Sequence, residues 1–381
     1  MPAGRMGRRG FIKRFFSAFL GVLAGQFVKV DHPRAKAEMK PPLHYRMLGR
    51  TGLKVTTVGM GVMNCSDPSV LHRAYDLGIN FYDTADCYMG GRNEEMVGKV
   101  FKGKRENVII QTKVHDHDEK RMRASVERSL RRLQTDYIDV LVWHGLSSTD
   151  EVSDPRLFEF MAKMKKEGKA RFTGFSTHTR MARLLREAAE GNYHDVVLTS
   201  YNFTHSRELK EALASAAKSG IGIVAMKTQA GGYKKGGMEG QSPHQAALAY
   251  VLNDPHVATA VPGATTIGQI EECAAVMGKP FSHSDLYRLK EYQAYLQGRI
   301  CTLCGGCQGE CPHGVRYGDF LRSVMYHEGY RNEALAREAY RKACSWHPVQ
   351  VCSECSSCSV VCRRGLDIQE QLLWAQRLFE G

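Results

Sequence analysis

Eight of the chain's twelve cysteines fall in its last eighty-one residues as two copies of one spacing, Cys301-x2-Cys304-x2-Cys307-x3-Cys311 and Cys352-x2-Cys355-x2-Cys358-x3-Cys362. Gaps of two residues let a tight loop wrap three thiolates around one compact centre while the fourth arrives from elsewhere, which points to two 4Fe-4S clusters. Structural zinc sites are the alternative, but they usually offer paired Cys-x2-Cys knuckles without a third cysteine two residues further on. A disulfide framework fits less well, because cysteines this close would compete for partners and the rest of the chain is poor in them. In the two-cluster arrangement the fourth cysteine of each run serves the other cluster. That groups Cys301, Cys304 and Cys307 with Cys362, and Cys352, Cys355 and Cys358 with Cys311. The second run ends in Cys362-Arg363 where the first ends in the usual Cys311-Pro312.

With 381 residues the chain has room for one large and one small domain. Its formal charge of +13 is concentrated at the start, since residues 1–37 hold eight Lys/Arg and one Asp. No basic stripe interleaved with aromatics follows, so the remaining charge reads as a solvated surface and nucleic acid is excluded as a partner. The same start carries Gly7-Arg8-Arg9-Gly10-Phe11-Ile12-Lys13, an apolar stretch from Phe15 to about Val28, and Ala35-Lys36-Ala37. These residues resemble a twin-arginine signal peptide spanning 1–37. The apolar run is shorter than the ~20 residues a bilayer span requires. The resemblance implies the twin-arginine export machinery as a partner and a place in the bacterial periplasm or on the outer face of the membrane. The chain stays cytoplasmic if the leader is not functional.

Between residues 43 and 280, short β-branched runs alternate with amphipathic stretches. The predicted strands are 55–60, 80–83, 108–112, 137–142, 170–175, 196–200, 222–225 and 258–261, with helices such as 119–133 and 206–218 between them. Eight such units predict an α/β fold, a (β/α)8 TIM barrel whose chemistry sits at the carboxyl ends of its strands. Asp83, Lys113 and His144 close the second, third and fourth strands, and Tyr88 lies in the loop after the second.

The runs Leu48-Gly49-Arg50-Thr51-Gly52-Leu53-Lys54-Val55, Asn80-Phe81-Tyr82-Asp83-Thr84-Ala85-Asp86-Cys87-Tyr88, Arg92-Asn93-Glu94-Glu95 and Asp136-Tyr137-Ile138-Asp139 resemble the aldo-keto reductases over roughly residues 43–275. The cysteine-rich tail resembles the branch of that family with a carboxyl-terminal ferredoxin-type domain. The resemblance implies hydride transfer between a nicotinamide coenzyme, NADPH or NADH, and a small carbonyl or alcohol substrate. Tyr88 would protonate the oxygen, with the Lys113 ammonium lowering its pKa, Asp83 orienting Lys113, and His144 donating a hydrogen bond to the carbonyl.

The coenzyme positions follow the family less closely. Ser176 is retained, but Thr177 stands where Asn is common, and Leu198 replaces a glutamine that often follows the sixth strand. Gly263, Thr265 and Gln269 fall in the segment that approaches the adenosine phosphate, with Gln269 in place of a common Arg. Lys227, after the seventh strand, is either a phosphate ligand or a surface lysine.

Residues 281–298 read as a linker and 299–381 as a small helical two-cluster domain. Phe320, Leu321, Val324 and Met325, then Leu335, Ala339 and Tyr340, recur there at helical intervals. Cys65, Cys87, Cys273 and Cys344 lack spacing partners and read as ordinary small buried residues. Nicotinamide delivers an electron pair whereas a cluster takes one electron, and no flavin fingerprint is visible. Clusters that exchange electrons would therefore do so with a redox partner protein or a quinone pathway. The competing reading is an electron-transfer or docking module with a non-catalytic barrel as its scaffold.

Overall fold

The computed structural model describes residues 42–231, 242–345 and 352–380. The leader expected at 1–37 lies outside these residues. An antiparallel hairpin, β1 (Tyr45–Met47) and β2 (Lys54–Thr56), precedes eight parallel strands. These are β3 (Met60–Gly61), β4 (Phe81–Asp83), β5 (Ile109–Val114), β6 (Ile138–Trp143), β7 (Ala170–Thr177), β8 (Val196–Ser200), β9 (Gly222–Met226) and β10 (Thr259–Ala260). They lie side by side in chain order, and bridges from Val58 to Ala260 and from Gly61 to Gly263 bring the two edges together into a barrel.

The predicted first strand, 55–60, is divided between two structures. Its start belongs to the hairpin, where Thr56 N–H donates to Asn80 Oδ1 at 2.8 Å, and the barrel strand begins only at Met60. Leu48, Leu53 and Val55 of the hairpin join Phe81, Val140, Val196 and Val224 in a packed interior, so the hairpin plugs the bottom of the barrel. Leu198 is wholly buried in this interior.

The outer layer comprises α1 (Pro68–Asp76), α2 (Arg92–Phe101), α3 (Glu119–Leu133), α4 (Thr149–Val152), α5 (Pro155–Lys166), α6 (Met181–Gly191), α7 (Arg207–Lys218), α8 (Pro243–Leu252) and α9 (Ile267–Ala274). Helices α3, α5, α6 and α7 each bury one apolar stripe. In α3 the stripe is Met122, Val126, Leu130 and Leu133, and the Asp118 side chain caps the helix by accepting from Arg121 N–H.

The stretch read as a linker instead holds α10 (His283–Leu296), with a Ser282/Asp285 capping box and Leu289 packed on Ala246 and Ala247 of α8. The tail adds α11 (Tyr317–Glu328), α12 (Glu333–Cys344), α13 (Ile368–Glu380) and a two-stranded ribbon, β11 (Cys307–Gln308) with β12 (Val361–Cys362). Residues 41–381 form one compact unit, with the tail packed against the barrel. It docks at the end of the barrel where the strands terminate. Ala230, Tyr292, Leu296, Ile300, Leu303, Met325 and Tyr326 make a shared apolar seam.

Candidate active site and cysteine centres

Three successive strands project the predicted catalytic residues from their carboxyl ends. Asp83 ends β4, and its Oδ2 accepts from Lys113 Nζ of β5 at 2.8 Å. The ammonium also donates to Thr84 O at 2.6 Å, and Gln111 Nε2 holds Asp83 Oδ1 at 2.7 Å. Lys113 is 1 % exposed, so its charge is sheltered and paired. The ammonium stands 4.7 Å from the Tyr88 ring centre, and the Tyr88 and His144 rings meet edge to face with centroids 5.8 Å apart. The four predicted residues are therefore brought together at one place.

Burial, reinforced by Asp83 and Cys87, pushes the Tyr88 phenol well above its ordinary value, with Arg322 opposing. The phenol is thus held protonated, while the Lys113 ammonium, directed to Asp83 and Thr84, lies over its ring. His144 is pushed well below the usual imidazole range by burial and then by Lys113, so it stays neutral. Its Nδ1 lies 3.7 Å from Cys87 Sγ. A hydrogen bond donated by the thiol to Nδ1 leaves the ring hydrogen on Nε2.

Asp83, Cys87, Tyr88 and His144 line a pocket whose opposite wall is the tail: Arg316, Asp319, Arg322, Tyr326 and Tyr330 around α11, and Leu335, Glu338 and Lys342 of α12. Asp319 is 5 % exposed and bridges Arg316 at 2.8 Å and Arg322 at 2.9 Å. Lys227 is not a surface lysine. Its Nζ donates to Tyr326 Oη at 3.2 Å and Tyr330 Oη at 3.3 Å and lies over both rings.

Of the other coenzyme candidates, Gly263 lines the pocket and Ser176 is buried beneath it, accepting from Gly145 N–H at 2.9 Å. Thr265 and Gln269 stand apart at the entry to α9. There Gln269 Oε1 folds back to accept from Thr265 N–H at 2.7 Å and Thr265 Oγ1 at 3.0 Å. Among the described residues, Asn64 Oδ1 and Thr228 Oγ1 are buried without hydrogen-bond partners, and both residues line the pocket. Sequence reasoning missed both.

The eight tail cysteines gather in two sets. Cys307 pairs with Cys362 across the ribbon. Cys301 lies close enough to Cys307, Cys304 and Cys362 to feel their charge, which adds to burial in pushing its thiol up to about 12. Leu303 and Gly305 adopt left-handed conformations, φ 54° and 70°, that turn the loop between these cysteines. Cys311, Cys352, Cys355 and Cys358 line one cavity. Gln369 Nε2 ties the second loop together by donating to Cys352 O at 2.9 Å and Cys355 O at 2.8 Å. Both sets join three cysteines of one run with the last of the other. Cys65 and Cys273 are buried in the barrel core, Cys344 packs beside the tail core, and Cys87 is a pocket residue rather than packing material.

Against models of known families, residues 66–239 and 235–294 match the Aldo/keto reductase family. The chain belongs to this family. Asp83, Tyr88, Lys113 and His144, the four residues singled out in the sequence, lie together at the strand ends. Among curated relatives, an uncharacterized oxidoreductase, YqkF, of Bacillus subtilis (strain 168) is 35% identical over 149 residues, covering 35% of this chain and 48% of that protein. The chain thus spans about half the length of that relative. L-galactose dehydrogenase of Arabidopsis thaliana is 28% identical over 304 residues, covering 67% of this chain and 95% of that protein. Among solved structures, an aldo/keto reductase from Klebsiella pneumoniae in complex with NADP and acetate superposes with a TM-score of 0.54 at 26% identity, covering 64% of this chain and 93% of that one.

Proposed function

We propose that this member of the family interconverts a small carbonyl compound and its alcohol, using a nicotinamide coenzyme, NADPH or NADH. The observation that carries the reading is the convergence of Asp83, Tyr88, Lys113 and His144 at one strand-end pocket. The donor set fits a coenzyme there. Ser176 and the unpartnered Asn64 Oδ1 and Thr228 Oγ1 would hold its polar groups at the floor, and the NADP complex of the Klebsiella relative supports the same choice. When bound, the coenzyme supplies a hydride for the carbonyl carbon.

The chain's own residues handle the oxygen. Neutral His144 donates from Nε2 to the carbonyl oxygen and fixes its position. As negative charge develops there, the Tyr88 phenol gives up its proton, so one hydride and one proton together make the alcohol. The Lys113 ammonium, fixed by Asp83 and Thr84 O, lies over the Tyr88 ring and steadies the phenolate left behind. In the reverse direction Tyr88 takes the proton back.

The two cysteine sets fit a pair of 4Fe-4S clusters. Among the described residues, neither set brings three sulfurs within 4.8 Å of one another. Thiolates on one tetrahedral zinc would stand about 3.8 Å apart. Cys301, Cys304, Cys307 and Cys362 would hold one cluster beside the barrel, and Cys311, Cys352, Cys355 and Cys358 the other. Residues 1–37 are read as a twin-arginine leader, so export follows cluster loading, and a redox protein or quinone pathway outside the cytoplasm exchanges electrons with the tail.

Replacing Tyr88 with Phe tests the mechanism, with carbonyl turnover lost while cluster absorption is unchanged. Full turnover in that variant removes Tyr88 from the reaction. The docking-module reading draws on the tail's hold over Lys227. It predicts redox-active clusters with no affinity for either coenzyme.

A further inference from the structure

Sharing His144 with the tetrad is a group whose other two members, Cys87 and His115, the carbonyl chemistry does not use. Cys87, His115 and His144 come from three different strand ends, and each offers one ligand atom such that all three lie within 4.8 Å of one another. Cys87 follows β4 in the loop that carries Tyr88, His115 follows β5 directly after Val114, and His144 follows β6. Cys87 Sγ stands 3.7 Å from His144 Nδ1. A sulfur and an imidazole nitrogen on one tetrahedral zinc, at ~2.3 and ~2.05 Å from the metal, would be about 3.6 Å apart, so this pair already has the required separation. The His115 and His144 rings meet edge to face with centroids 5.3 Å apart, which keeps their nitrogens within reach of one centre. Asp86 Oδ1 stands 3.2 Å from His115 Nδ1, near that ring but not hydrogen-bonded to it. The walls of the pocket leave the Cys87 and His144 edge of the group open to a fourth ligand.

We propose that Cys87, His115 and His144 form a binding site for a thiophilic divalent ion of the zinc type, one cysteine and two histidines with the fourth position facing the substrate pocket. The mixed donor set selects such an ion over magnesium or calcium, which prefer oxygen. Binding expels the Cys87 thiol proton to solvent and leaves a thiolate on the metal. Coordination through Nδ1 also places the His144 hydrogen on Nε2, the nitrogen that faces substrate in the reading above. The site is distinct in its ligands from both tail cysteine sets and does not depend on that reading.

The experiment uses the full-length, cluster-loaded protein titrated with Zn2+, with zinc-edge X-ray absorption to count sulfur and imidazole ligands. The wild type binds one zinc with a shell of one sulfur and two imidazoles. Cys87→Ser and His115→Ala each weaken that binding at least tenfold while leaving the iron content unchanged, and His115→Gln does the same if His115→Ala fails to fold. A shell of sulfur alone, which would place the zinc on tail cysteines, overturns the proposal. So does zinc affinity that is unaltered in the variants.

Discussion

At the scale of single residues, the tetrad is a set of buried charges and dipoles that hold one another in place. Tyr88→Phe removes only a hydroxyl, so the fold persists while turnover falls by roughly 100- to 10,000-fold, as loss of a positioned proton donor does. Steady-state rates with intact clusters check this. Lys113→Met acts differently, because it leaves the Asp83 carboxylate, 5 % exposed, without its cation. Chemical denaturation would then show a loss of about 3–5 kcal/mol, along with lost activity. An unchanged midpoint would mean that Asp83 is not held charged by Lys113. The tetrad was legible in the sequence because each member sits at a fixed place after a predicted strand. The partners of Lys227 were not, since Tyr326 and Tyr330 are about a hundred positions away and only tertiary packing brings them to it. Gln269, read against an expected Arg, turned out to satisfy its own backbone at Thr265.

At the scale of elements, the contact between tail and barrel rests on a few close fits. Gly329, at the end of α11, lies so near the 227–231 loop that a Cβ there would overlap Gly231 O. Gly329→Ala therefore lifts α11 from the barrel, and limited proteolysis would cut the tail faster than in the wild type. His205 makes the second fit. Its Nδ1 accepts from Asn202 N–H at 3.0 Å, and its Nε2 lies 3.1 Å from Leu303 O in the first cysteine loop. Burial lowers its pKa to about 4, below the unfolded value near ~6.5. The unfolded chain thus binds the proton first as pH falls. His205 contributes stability in full above about pH 6.5 and loses it on descent towards pH 4. Urea midpoints across that window should fall in the wild type and fall less in His205→Asn. Parallel slopes would exclude His205 as the cause. The helices of barrel and tail were readable because their apolar stripes recur at helical spacing, as in α3 and α11. The hairpin was misread as part of a barrel strand because local β propensity does not say which strand will be its partner. The linker was misread for a related reason: α10 has a weak stripe and is fixed by its cap and by α8.

At the scale of the whole molecule, the tail forms one wall of the strand-end pocket and is not an appendage. Removing residues 299–381 uncovers Ala230, Tyr292 and Leu296, which the tail buries, and strips one wall from the pocket. The truncated chain should lose solubility and substrate affinity together, measurable by sedimentation and by KM. Normal kinetics from a soluble barrel would make the tail independent of catalysis. Two repeated cysteine runs set the tail apart in the sequence, while its position over the barrel mouth had no sequence signature at all. That position places one cysteine set beside the β8–α7 loop through Asn202, Thr204 and His205. The measurement that tests the account most directly is an anaerobic titration of the cluster-loaded protein with NADPH, then NADH, before and after adding an aldehyde. We predict coenzyme binding on mixing and oxidation only once the aldehyde is present, with no oxidation in Tyr88→Phe. Failure of the wild type to bind either coenzyme would contradict the account and leave the barrel as a scaffold.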